Sequence, residues 1–317
     1  MMNKLIYCLL CVAIVGSFSG CANNNNSSET DTPTSGEISI IAEESFSPII
    51  KTQVETFESL YQQTKINVTY RPEDEAFQEL LAGNARMIIM PRKLTKEEKA
   101  SFEKETIVPT EIKIAYDALA VIINPANKDS MMTLETFGEI VSGKASAWKN
   151  VNKASSLGKI SVIYDSSSSS ALRFIKEKFK IDSLRNSYAL KNSEEIINYV
   201  SKNKNAIGII GVNWISDVND TTSTKFMEKI RVVSLKSDNP KADPSEYYAP
   251  YQAYIALKYY PLYREIYIVS REARTGLASG LSSFLSKERG QRIFLKSGLV
   301  PAKMPIRLVE LKETEDL

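Results

Sequence analysis

Residues 160–175 have the sequence ISVIYDSSSSSALRFI and show how this chain folds. The apolar start predicts a buried strand, the run of serines a loop, and the last residues an amphipathic helix. This order places hydroxyls and backbone N–H groups at the start of a helix, where the first four N–H groups have no partner within the helix. The helix dipole adds partial positive charge there, so the segment is suited to binding an anion.

A second unit of the same kind lies near the start of the chain. Residues 38–42 (ISIIA) predict a strand, residues 43–47 (EESFS) a loop, and Pro48 the first turn of a helix that Ser47 caps. Two helix starts that favour anions, in two halves of one chain, predict a cleft that closes on a small oxyanion.

The N-terminus predicts export. Lys4 precedes an apolar run over residues 5–15 that is too short to span a membrane, so residues 1–20 are predicted to be a signal peptide. Residues 18–21 (FSGC) resemble a bacterial lipobox, which implies cleavage before Cys21 and lipid attachment to it as an anchor. The alternative is an ordinary signal peptide with an incidental Cys21. The polar residues 21–36 then form a flexible tether.

Composition excludes several classes of protein. The chain has no histidine, which removes Ser-His-Asp and Cys-His catalysis and histidine-bound zinc. All three cysteines fall within residues 1–21, and the net charge of +2 gives no case for nucleic acid binding. No Walker or EF-hand pattern is present. We therefore expect a protein that is not an enzyme and that has no cofactor, no metal and no nucleic-acid partner.

Strands alternate with helices along the remaining chain, which predicts α/β lobes with largely parallel sheets. In such sheets ligands bind beyond the carboxyl ends of the strands, and both serine loops follow strands. Gly83 is expected to end one helix, and residues 95–98 (TKEE) form a capping box for the next. Residues 251–257 are expected to form a strand and residues 276–290 one helix.

Seven segments, in order, resemble the periplasmic phosphate-binding proteins of the PstS type, which are the substrate-binding components of ABC transporters. One is the run from Thr133 through Gly143-Lys144 to Trp148, which is distinctive of that family. The segments are residues 42–48, 91–98, 115–127, 132–148, 206–211, 260–267 and 284–301.

The resemblance implies an α/β protein with the type 2 periplasmic-binding fold, in which two α/β lobes enclose a central cleft and two hinge crossings join them. Lobe 1 would comprise residues 37–116 and 250–317, and lobe 2 residues 117–249. The crossings would fall near residues 115–119 and 248–254. This sequence departs from the family in two places. The serine run replaces Arg-x-x-Ser-Gly-Thr and lacks its arginine, and Pro91 stands where serine or aspartate is usual.

The serine loops supply the candidate ligand-binding residues. Ser168, Ser169 and Ser170 are expected to offer hydroxyls and N–H groups in lobe 2. The alternative is that Ser170 only caps the helix and the other serines form a solubilising loop.

In lobe 1 the candidates are Ser45 and Phe46, against the alternative of a plain loop. Glu43 and Glu44 lie beside them, and a carboxylate there repels an anion unless one of the two is protonated.

Four charged residues complete the candidate site. Arg92 is either a guanidinium fork for the oxyanion or a surface arginine, whereas Arg173 is expected to pair with a neighbour. Asp117 lies at the first crossing and is expected to hold the hinge, the alternative being that it accepts a hydrogen bond from a protonated oxyanion. Asp165 ends the lobe 2 strand and would orient the serines.

The resemblance implies a monomeric lipoprotein, anchored through Cys21 on the periplasmic side of a bacterial membrane. It would capture phosphate or a related tetrahedral oxyanion and deliver it to an ABC permease. The alternative is a sensing or interaction lipoprotein that keeps the fold without tight phosphate binding. A hydrolase is disfavoured, because no nucleophile is accompanied by a catalytic base.

Overall fold

The computed structural model describes residues 31–304. The predicted signal peptide, Cys21 and most of the predicted tether therefore lie outside the described residues. Within residues 31–304, no helix combines the length and the hydropathy that a membrane crossing requires.

The strands of the described residues are β1 (Ser35–Glu43), β2 (Gln63–Arg71), β3 (Met87–Met90), β4 (Thr110–Ile123), β5 (Met131–Met132), β6 (Ser161–Tyr164), β7 (Ser187–Ala189), β8 (Ala206–Gly211), β9 (Arg231–Val232), β10 (Ser234–Leu235), β11 (Tyr263–Ser270) and β12 (Val300–Pro301). The α-helices are α1 (Ser47–Leu60), α2 (Glu73–Ala82), α3 (Lys96–Lys104), α4 (Leu134–Ser142), α5 (Trp148–Val151), α6 (Ser170–Phe179), α7 (Ser193–Lys202), α8 (Thr221–Lys229), α9 (Gln252–Ala256), α10 (Leu277–Ser286) and α11 (Glu288–Lys296). Two short 3-10 helices cover Glu44–Phe46 and Val212–Trp214.

The main sheet has the strand order β2-β1-β3-β11-β4-β8-β6-β7, with β9 and β12 also paired to β4. Strand β4 joins its two halves, since Thr110 to Ala118 pair with β11 whereas Leu119 to Ile123 pair with β8. We call the elements packed on β2-β1-β3-β11 the first lobe and those packed on β8-β6-β7 the second lobe. The lobe boundaries given above stay a prediction, because β4 passes unbroken through residues 116 and 117.

Strand β4 is also the centre of the core. Every side chain from Ala118 to Ile123 is fully buried. Full burial of a Val, Leu or Ile side chain contributes about 1.5–3 kcal/mol, so this crossing strand contributes strongly to the stability of both halves. Helices cover both halves with apolar faces, as Ile50, Val54 and Phe57 of α1 illustrate.

Several local predictions are confirmed. Helix α2 ends at Gly83, whose φ of +85° favours glycine. Thr95 and Glu98 form the predicted capping box of α3. Strand β6, the serine loop and α6 follow one another as predicted.

Other predictions are wrong. The largely parallel sheets predicted for the lobes are present as β2-β1-β3 and β8-β6-β7, but the central strands β11 and β4 run antiparallel to their neighbours, so the whole sheet is mixed. Residues 251–257 contain helix α9, which buries Ile255 and has no strand partner. Residues 276–290 form two helices, α10 and α11, because Lys287 between them has extended backbone. Ser47 does not cap α1: it is the first helical residue, and Phe46 precedes it without a side-chain cap.

Candidate functional site

Arg264 lies at the centre of the molecule and joins the two lobes. It stands on β11 directly opposite Asp117 of β4, and its side chain is 1% exposed. Its Nη2 donates to Asp117 Oδ2 at 2.5 Å and to Ser45 Oγ at 3.1 Å, and its Nη1 donates to Ser170 Oγ at 2.9 Å. One guanidinium therefore holds the first-lobe loop, the crossing strand and the second-lobe helix start together.

The two loops that meet at Arg264 have matching local structure. Strand β1 ends at Glu43, a 3-10 turn follows over Glu44–Phe46, and helix α1 begins at Ser47. Strand β6 ends at Tyr164, and α6 begins at Ser170 after the serine loop. Both loops follow the carboxyl ends of strands, where ligands of open α/β sheets bind.

The Glu43 carboxylate lies between the two loops. It is fully buried, and its Oε2 accepts hydrogen bonds from the Ser45 N–H at 3.1 Å and from the Ser45 hydroxyl. Its Oε1 accepts a longer bond of 3.4 Å from the N–H of Ser170. Burial raises the pKa of Glu43, and the charge of Arg264 partly offsets this increase.

Further polar groups surround these residues. Burial and the nearby charge of Asp165 raise the pKa of Glu44 to about 8, and burial with the charge of Glu43 raises that of Asp165 to about 7. The Ser193 hydroxyl donates to Glu44 Oε2 at 3.4 Å. Asn213 Nδ2 donates to the Ser45 carbonyl oxygen at 2.7 Å, which adds a further contact between the lobes at this cluster.

The acidic groups do not form a metal site in this structure. No set of three or more Cys, Asp, Glu or His side chains within residues 31–304 is arranged to hold a metal ion. The donors present are two backbone N–H groups, two hydroxyls and one guanidinium, and donors of this kind bind the oxygens of an anion.

The structure brings some predicted site residues together. Ser45, Ser170 and Asp117 all contact Arg264, and the Phe46 ring lies 5.0 Å from the guanidinium carbon. Ser169 caps α6, since its hydroxyl oxygen accepts the Leu172 N–H at 3.2 Å. Asp165 is buried beside this loop, at the end of β6.

Ser168 and Arg92 form their hydrogen bonds with residues other than Arg264. The Ser168 hydroxyl pairs with that of Ser166, in a separate cavity of about 300 Å³ that Glu73 and Arg173 also line. Arg92 bonds Glu73 and Glu98 with its guanidinium. Their predicted role in ligand binding stays a prediction.

Glu73 forms a second connection between the lobes. This carboxylate on α2 of the first lobe is 1% exposed, and it accepts from Arg92 Nε at 2.5 Å. From the second lobe, Arg173 donates its Nε at 2.8 Å and its Nη2 at 3.1 Å. Arg173 thus pairs with a neighbour, as the sequence predicted, and that neighbour belongs to the other lobe.

A cleft of about 520 Å³ opens beside these groups. Arg264 is part of its wall, and five of its eleven lining residues are basic whereas Glu265 is the acidic one. The basic residues that line it are Arg92, Lys93, Arg173, Lys178 and Arg264.

Sequence reasoning missed Arg264 and the position of Glu43. Side chains alternate between the two faces of a strand, so Arg264 lies on the same face of β11 as the buried Ile266 and Ile268. A charged residue among the apolar residues of one strand face could have indicated this site, because a buried charge needs a buried partner.

The fold and the site define a two-lobed α/β binding protein with polar donors gathered in a cleft. The model for the PBP superfamily domain matches residues 27–288 of this chain. The chain belongs to the PBP superfamily.

Relatives and solved structures agree with this assignment. The chain is 26% identical to the phosphate-binding protein PstS of Staphylococcus epidermidis over 277 residues, which is 86% of this chain and 81% of that protein. It is 26% identical to the PstS of Staphylococcus aureus, over 70% of this chain and 66% of that protein.

A Clostridium perfringens structure, described as a phosphate ABC transporter substrate-binding protein with bound phosphate, superposes with a TM-score of 0.70. Its identity is 22%, over 84% of this chain and all of that one. An ABC-type phosphate transport receptor from Vibrio cholerae superposes with a TM-score of 0.62 at 20% identity, over 84% of this chain and all of that one. These likenesses confirm the type 2 periplasmic-binding fold.

Proposed function

We propose that this protein is the substrate-binding component of an ABC importer and captures phosphate, or a related tetrahedral oxyanion, between its lobes. The observation that carries the proposal is the meeting of Ser45 and Ser170 at Arg264. The names of the staphylococcal relatives support phosphate as the anion.

The donors fit an anion of several oxygens. Two hydroxyls and two helix-start N–H groups come from opposite sides, and Arg264 adds a full positive charge. The Arg264 Nε–H has no hydrogen-bond acceptor within residues 31–304. A buried donor without a partner costs about 1–3 kcal/mol, and a ligand oxygen would remove that cost.

Binding and closure would be one event. Ser45 and Arg264 belong to the first lobe and Ser170 to the second, so an anion that contacts all three holds the lobes together. Hinge closure of this kind is a known way for two-lobed proteins to enclose a ligand. The basic wall of the outer cleft would draw the anion inward.

The lipid anchor is part of the proposal. Cys21 with its lipid would hold the protein at the periplasmic side of the membrane. There the protein, as a monomer, would release its ligand to an ABC permease. Mass spectrometry of the N-terminal peptide tests this directly: the proposal expects an acylated Cys21 as the first residue, and a free N-terminus elsewhere would contradict it.

One observation favours the second candidate, a sensing or interaction protein that keeps the fold without tight phosphate binding. The serine loop has no arginine before it, and Glu43 already contacts the N–H groups that an anion would use.

Calorimetry separates the two candidates. The purified protein, stripped of endogenous anion, is titrated with phosphate, arsenate, sulfate and molybdate. Saturable binding of phosphate at micromolar concentration or below supports transport. Absence of heat with every oxyanion, in a protein that remains folded, supports the second candidate.

A further inference from the structure

Glu43 has the contacts that the proposed function assigns to a bound anion. One carboxylate oxygen accepts the N–H and the hydroxyl of Ser45, and the other accepts the N–H of Ser170. The carboxylate therefore bridges the first-lobe loop and the second-lobe helix start. An external oxyanion needs the same donors, so it and the ionised Glu43 compete for them.

Electrostatics makes the competition stronger. The charged groups that interact with Glu43 are Glu44 on its own loop, Glu73 on α2, Asp165 after β6 and Arg264 on β11. Asp117 on β4 lies on the other side of this group as the salt-bridge partner of Arg264. Glu73 already has two arginine partners, so among residues 31–304 it is Arg264 whose charge acts on Glu43, Asp117 and Asp165 together. A second anion beside an ionised Glu43 is repelled, and the burial of Glu43 away from water makes that repulsion stronger than it would be at the surface.

We propose that Glu43 is a specificity-determining residue that competes with the ligand: the cleft takes up an oxyanion only as Glu43 gains a proton and releases its donors. The inference rests on the proposed function and adds the chemistry of uptake. Anion binding is then coupled to uptake of one proton by Glu43, and phosphate is held more tightly in acidic than in alkaline surroundings.

The burial of Glu43 agrees with this coupling. Removal from water disfavours the charged carboxylate and raises the pKa of Glu43. Protonation of Glu43 on anion binding therefore costs less free energy than protonation of an exposed glutamate would. The protonated carboxyl can still accept from one of its present donors, and it can also donate its own hydrogen to a ligand oxygen.

The test compares phosphate binding by the wild type, Glu43→Gln and Glu37→Gln at about pH 5.5 and about pH 8.5. Glu37→Gln is the matched control, because Glu37 lies on the same strand and its carboxylate pairs with Lys65 at the surface. Comparison of variants at one pH cancels the titration of phosphate itself. Titrations in two buffers of different ionisation enthalpy give the number of protons taken up.

We expect Glu43→Gln to bind phosphate at least about tenfold more tightly than the wild type at the higher pH and about equally at the lower pH. It should take up about one proton fewer than the wild type on binding, and Glu37→Gln should match the wild type. Glu43→Ala, checked for folding by circular dichroism, should show the same direction.

Two outcomes overturn the inference and differ in what they leave standing. If Glu43→Gln and Glu43→Ala are folded and bind phosphate no more tightly than the wild type at either pH, the role of Glu43 is wrong and phosphate capture stands. If neither the wild type nor these variants bind phosphate at any pH, the proposed function fails and this inference fails with it.

Discussion

Arg264 donates its Nη1 to the Ser170 hydroxyl at 2.9 Å, although the two residues lie in different lobes and 94 positions apart in sequence. Arg264 also pairs with Asp117 on the strand that crosses between the lobes. The groups that bring the lobes together are therefore the groups that would bind the anion.

Arg264→Met should lower both the free energy of unfolding and the affinity for phosphate. It leaves Asp117 buried without a cation, which typically costs about 3–5 kcal/mol in free energy of unfolding. Loss of a charged donor should weaken phosphate binding by about 10–100-fold. Urea unfolding and calorimetry measure the two effects.

The double variant Arg264→Met with Asp117→Asn is the control for Arg264→Met. It removes the uncompensated charge, so most of the stability should return while the affinity for phosphate stays low. Equal stability of Arg264→Met and the wild type would contradict the assignment of a buried ion pair.

Ser169→Ala and Ser170→Ala should separate stability from binding. Ser169 caps α6, so its loss should cost about 1 kcal/mol of unfolding free energy. The Ser170 hydroxyl faces Arg264, so its loss should weaken phosphate binding by about tenfold with a smaller effect on unfolding. The reverse order of effects in parallel unfolding and binding titrations would refute this division of roles.

Arg173→Gln should loosen the closed cleft, because it removes the bond from the second lobe to the buried Glu73. For a partly buried pair worth about 1 kcal/mol, we expect phosphate to dissociate about fivefold faster in stopped-flow experiments. Glu177→Gln is the matched control, since it removes only the exposed partner of Arg173 on the same helix. Indistinguishable dissociation rates for the two variants would show that the Glu73 bond does not hold the lobes.

Stability should fall as the pH rises from about 5 to about 9. The pKa of Glu44 is raised to about 8 in the folded protein, above its usual value of 4.5, so the folded state binds this proton more tightly than the unfolded state. The resulting stabilisation is complete below the usual pKa and is lost as the pH passes through 8. Glu44→Gln should flatten the pH profile of the melting temperature, and Glu37→Gln should not. A profile that rises over this range would contradict the raised pKa.

The sequence predicted well what short segments determine. The unit from β6 through the serines to α6 is local, because its strand, its loop and its helix start are encoded within twenty residues. Residues 251–257 misled because the segment is short and rich in tyrosine, which is typical of strands, although Tyr251, Tyr254 and Ile255 have the i, i+3, i+4 spacing of a helix.

The site was harder to predict because its contacts are distant in sequence. Arg264 meets Ser45 over 219 positions and Asp117 over 147, and no local pattern encodes either contact. Glu43 was recognised as a charge beside the anion, but its bond to Ser170 depends on how the lobes pack. Arg92 shows the same limit, because it lies in the turn after β3 and its partner Glu73 lies on helix α2.

A crystal structure of the purified protein grown with saturating phosphate tests the central claim most directly. The account predicts phosphate between the two loops, with oxygens about 3 Å from the hydroxyls of Ser45 and Ser170 and from the Arg264 guanidinium, and with Glu43 withdrawn from their N–H groups. Phosphate bound only in the outer cleft, or a cleft in which Glu43 keeps its present contacts at saturating phosphate, would contradict it.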